Sequence, residues 1–92
     1  MATIRTLSAM PYAQAQVRIY DDGTIVLQSY ATDVITVTPG GWLVVSGLYS
    51  ATTRKHIGAF MREYANATYQ TAKLIYCDNY RYNIHTGEIK AL

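Results

Sequence analysis

The sequence predicts an α+β fold: a mostly antiparallel sheet of two or more hairpins with one principal helix packed on a face. Three observations carry this. Two pairs of β-rich runs flank the turn-forming residues Asp22-Gly23 and Pro39-Gly40-Gly41. After Ser50 the apolar period lengthens from two residues to that of a helix. Beyond that helix, short alternating runs return. Residues 1–92 read as a single domain, with no internal repeat and no low-complexity linker.

The first hairpin is AQVRIYDDGTIVLQSY, with strands near 15–20 and 24–30. Val17 and Ile19 face one side of its first strand, and Gln16, Arg18 and Tyr20 the other. In its second strand Ile25 and Leu27 oppose Val26, Gln28 and Tyr30, so one side is core. The second pair is DVITVT (33–38) and WLVVSG (42–47). Pro39 fixes φ in the turn between them and the glycines permit the reversal. The unbroken Leu43-Val44-Val45 predicts a central strand covered on both faces.

From Ser50 to about Asn66, Ile57, Phe60, Met61 and Tyr64 fall at i, i+3, i+4 and i+7, a stripe suited to packing on a sheet. Lys55, Arg62 and Asn66 occupy the opposite side. Gly58 weakens this helix by about 1 kcal/mol relative to alanine. Downstream, TAKLIYC (71–77) reads as a strand and Asp78-Asn79 as a turn. In YRYNIH (80–85), Tyr80, Tyr82 and Ile84 alternate with Arg81, Asn83 and His85 before Thr86-Gly87 turns into a last short strand at 88–91.

Half of the residues are hydrophobic and nine are tyrosines, which supports a dense core in so short a chain. The short length also makes a homo-oligomer a candidate. A net charge of +2 is too small to imply nucleic acid by itself, so a basic site would have to be local. The single cysteine, Cys77, excludes an internal disulfide, and no Cys/His spacing suggests zinc. No signal-peptide core and no run long enough to span a membrane is visible, so the expectation is a cytoplasmic protein without membrane contact. No cofactor motif is present, since Gly40-Gly41 lacks the lysine and helix of a phosphate loop.

The leading candidate site is the helix start. Ser50, Thr52 and Thr53 supply hydroxyls beside unpaired backbone N–H groups, and Arg54, Lys55 and His56 could neutralise an anion or a partner's charge. The competing reading is that Ser50 or Thr52 merely caps and the cations point into water. Cations at a helix N-terminus are mildly unfavourable unless an anion is present, which keeps the binding reading open. A second candidate is an aromatic interface of Tyr76, Tyr80, Arg81 and Tyr82, extended by Arg18 and Tyr20. It would stack bases or anchor a protein, against the alternative of half-buried strand packing. Cys77, His85 and Asp78 could be imagined as a nucleophile with its base. Nothing in their spacing demands it, and a non-enzymatic protein is expected, with Cys77 an inert buried residue at the end of an apolar strand.

The segment 29–64 resembles a family of short phage and prophage proteins. They pair a strand carrying Ser-Tyr-x-Thr-x-Val with a helix start Gly-x-Tyr-Ser-x-Thr-Thr-x-x-His-Ile, here Ser29, Tyr30, Thr32, Val34, Gly47, Tyr49, Ser50, Thr52, Thr53, His56 and Ile57. The resemblance implies an origin in a mobile genetic element and an accessory protein that binds and inhibits a host protein or nucleoprotein complex. Inhibition of a defence system such as CRISPR is its most concrete version. The alternative is a nucleic-acid or nucleotide binder using the basic helix start and tyrosine stacking. A virion or scaffold component is a third class.

Overall fold

The computed structural model describes residues 2–11 and 14–92. Its elements are β1 (Ala2–Arg5), β2 (Ala15–Tyr20), β3 (Ile25–Ser29), β4 (Thr32–Val37), β5 (Trp42–Val45), α1 (Ala51–Tyr64), α2 (Tyr69–Cys77), β6 (Tyr80–Asn83) and β7 (Ile89–Ala91). The strands form one antiparallel sheet in the order β1-β2-β3-β4-β5-β6-β7, with both helices inserted between β5 and β6. The α+β class and the antiparallel sheet are those the sequence predicts. No helix among the described residues is long and apolar enough to cross a membrane.

Register places Val17, Leu27, Ile35 and Val45 side by side across β2 to β5, and Val37, Leu43 and Tyr82 across β4 to β6. This row packs against the α1 stripe, where Ile57, Phe60 and Met61 are fully buried and Tyr64 stacks on Phe60 at 4.9 Å. The dense core is thus one layer of helix on one face of sheet.

Three expectations change. Residues 71–77 are not a strand but most of α2. Ala72 and Ile75, three apart, are its buried residues, and Asn79 at φ 57° supplies the left-handed residue that ends it. A β-rich composition was overridden by packing of that two-residue stripe on β5 and β6. β5 lies between β4 and β6, but both helices pack on the face that carries Leu43, and no helix among the described residues covers the other. Cys77 ends a helix and is exposed rather than buried.

A β-bulge in β4 has a consequence for the open face. Leu27 pairs with Ile35 and Gln28 with Asp33, so Val34 is the extra residue. Without it, Asp33 would share the core-facing side with Ile35. With it, Asp33 turns to the open face and grips Arg18 through two hydrogen bonds of 3.0 and 2.8 Å.

Candidate functional site

The helix start divides into an inner and an outer half. Ser50 is the N-cap, extended at φ −87°, ψ 168°, and its Oγ accepts from the Thr53 N–H at 3.2 Å. The same hydroxyl donates to Thr53 Oγ1 at 3.2 Å. Thr53 Oγ1 lies 2.9 Å from Ser29 Oγ on β3, which lies 2.8 Å from His56 Nδ1. The three hydroxyls and the imidazole form one continuous chain from the helix cap to β3, in which Ser29 and Nδ1 exchange donor and acceptor roles with the tautomer of the ring.

Thr53 and His56 therefore do not serve as solvent-facing ligands. Their spacing, three apart on α1, turns both toward β3, and His56 is 0% exposed. Its Nε2 is buried without a hydrogen-bond partner among the described residues, and burial holds its pKa below the ordinary value, so the ring is neutral. Tyr30 covers it, with ring centroids 5.9 Å apart. Tyr30 and Tyr49 both adopt left-handed backbone, at φ 55° and 44°. The Tyr49 ring lies over Gly47, where an added Cβ would come within 2.7 Å of it and displace the exposed ring.

The outer half faces solvent. Ser50, Thr52, Arg54 and Lys55 are exposed, and Arg54, Lys55 and Arg62 have no ion pair among the described residues. They border a groove of about 510 Å³ along the outer side of α1, floored by Gly58 and Ala59 and walled by Met10 and Tyr69. Sequence reasoning missed this groove because one wall is the Leu7–Met10 turn, more than 40 residues away in the chain. The two small residues between cations at i and i+8 were its only local trace.

The proposed aromatic interface is not brought together. Tyr82 faces the helices and donates to the Ala65 carbonyl at 3.4 Å, and Tyr80 shares its side of β6. Tyr76 is exposed on α2. Arg81 points to the opposite face of the sheet, where its guanidinium stacks 4.5 Å from the Trp42 ring centre, with Lys90 Nζ 5.4 Å from the same centre. Arg18 and Tyr20 share that open face but are engaged with each other and with Asp33. Cys77 ends α2, whereas the His85 ring lies against Gly41 beyond β6.

A family model described as "Family of unknown function (DUF8033)" matches residues 4–84. No curated protein and no solved structure matches the chain.

Proposed function

The chain belongs to that family of unknown function, and from this premise we propose a small non-enzymatic phage or prophage accessory protein that binds and inhibits a host factor. The observation that carries the reading is the outer side of α1, where Arg54, Lys55 and Arg62 stand without an ion pair among the described residues at the rim of a groove with an apolar floor. Three like charges on one helix face add nothing to the core and make that face locally positive, which suits contact with a molecule of opposite charge. Interference with a host defence system such as CRISPR is the form suggested by the resemblance of residues 29–64. A stable complex would cover about 800 Å² on each partner, more than the groove alone, so Ser50 and Thr52 at the adjoining helix start belong to the same contact.

Binding of nucleic acid or nucleotide is the second reading and draws on the same cations. It loses its stacking platform because Tyr82 packs inward and Arg81 occupies the Trp42 ring. Salt separates the two: phosphate contacts weaken steeply with ionic strength, whereas an apolar anchor does not.

The test is recovery of tagged protein from infected or prophage-carrying cells. Arg54→Ala with Lys55→Ala should lose the partner that wild-type retains and lose its inhibitory activity. The melting temperature should stay close to wild-type, because both side chains are exposed and unbonded. A double variant that keeps both partner and activity ends the reading.

A further inference from the structure

We infer that the groove on α1 receives an acidic, apolar-bearing segment of a partner protein: one aliphatic or aromatic side chain seated over Gly58, with carboxylates on either side meeting Arg54 and Arg62. This rests on the reading of the cationic side of α1 as the contact surface, and names what that surface recognises.

Three observations choose this occupant. The floor offers no hydrogen-bond donor, because Gly58 and Ala59 lie in the helix interior, where their N–H groups are spent on α1 itself. A phosphodiester chain would find cations at the rim but nothing to bond beneath them, while an apolar side chain would fill the space. The walls are a thioether and a phenol ring, Met10 and Tyr69, both partly buried and both adaptable apolar surfaces. The charge is one-sided, for among the described residues no carboxylate lines the groove. The nearest in sequence, Glu63, is already bonded to Ser8 at 2.8 and 3.0 Å.

Spacing sharpens the occupant. Arg54 and Arg62 are eight positions apart on α1, about 12 Å along its axis, with Gly58 midway. A helical partner segment would match them with acidic residues about two turns apart and the apolar anchor between. Lys55 lies one residue round the helix and adds charge to the amino end of the groove.

The test is panning of a random peptide display library against the intact protein, with clones then measured on two variants whose folding is checked by circular dichroism. Gly58→Leu fills the floor and leaves all three cations; Arg54→Ala with Arg62→Ala removes charge and leaves the floor. Enriched peptides should carry an apolar residue between acidic ones and weaken by about tenfold or more on each variant. Peptides that bind Gly58→Leu as tightly as wild-type but are lost on the arginine variant would overturn the groove while leaving the cationic face in place. Peptides indifferent to both variants would overturn the groove and the cationic face together. Failure to enrich any acidic and apolar sequence would overturn the inference as well. If Gly58→Leu does not fold, Ala59→Gln, which projects a polar group into the same floor, takes its place under the same criteria.

Discussion

Glu63 accepts both hydrogen bonds that Ser8 can donate, Oε1 from the backbone N–H at 2.8 Å and Oε2 from the hydroxyl at 3.0 Å. The pair joins residues 55 apart and clamps the Leu7–Met10 turn to the solvent side of α1. Leu7, fully buried beside it, anchors the same turn from below. The wall formed by Met10 is thus held by one exposed carboxylate on the outside and by Leu7 from below. Glu63→Ala should cost about 1 kcal/mol in urea denaturation, modest because the pair is solvated. The exchange protection of the Met10 amide, which donates to the Leu7 carbonyl, should fall further than the global change accounts for. Unchanged protection at Met10 would show that the turn is held by Leu7 alone.

Ser29 is the middle of the buried chain that links the helix cap to β3. Replacing it by alanine leaves Thr53 Oγ1 with one partner fewer and His56 Nδ1 with none, inside the fold. Ser29→Ala should cost about 1–3 kcal/mol, the penalty of a desolvated group left unpaired. Thermal denaturation checks this. A loss within measurement error would mean that the His56 ring reorients to another partner.

His56 is also the group that should make stability depend on pH. Burial lowers its pKa in the folded state below the ordinary 6.5, so the unfolded chain takes up the proton first as pH falls. Its contribution is full above about pH 6.5 and is lost progressively as pH drops through the folded pKa. Urea midpoints at about pH 7.5 and about pH 5 should differ, with the acid side weaker. The difference should shrink in His56→Gln, which cannot titrate. An equal acid loss in that variant would assign the effect to another group instead, such as Asp22, whose pKa is held below the ordinary value by its hydrogen bond from Thr24.

The parts of the fold that were legible in the sequence are those where local pattern and packing agree. Alternation in 15–20 and 24–30 placed Val17 and Leu27 correctly, and the stripe from Ile57 to Tyr64 faces the sheet as its spacing requires. α2 was illegible because its nine residues bury only Ala72 and Ile75, too short a stripe to outweigh Ile, Tyr and Thr in a strand-like run. The left-handed Asn79 ends the helix, yet the same residue reads equally well as a hairpin turn. At the site, hydroxyls and cations were found but not sorted. Which of Thr53 and Arg54 turns inward depends on where β3 lies against α1, and that is a tertiary fact. The groove needed Met10 and Tyr69 brought to α1 from either side of it in the chain.

Phe60 tests the core itself. It is fully buried and stacked on Tyr64 at 4.9 Å, 22° between planes. Phe60→Ala should cost about 3–5 kcal/mol, a large part of the stability expected of a domain this size. A loss below about 1 kcal/mol would require the helix to repack on another face.

Gly58 separates what the fold needs from what the groove needs. A Cβ built there meets only the Tyr69 Cβ, at 3.6 Å, which is ordinary contact, and the backbone is helical. Gly58→Ala should therefore raise stability, by up to about 1 kcal/mol, through helix propensity alone. The methyl group rises from the groove floor, so affinity for a partner seated there should fall while the melting temperature climbs. Opposite movement of those two quantities is the signature of a residue kept small for contact with another molecule. If alanine stabilises the protein and leaves binding untouched, Gly58 is a tolerated weakness in α1 and the partner does not reach the floor.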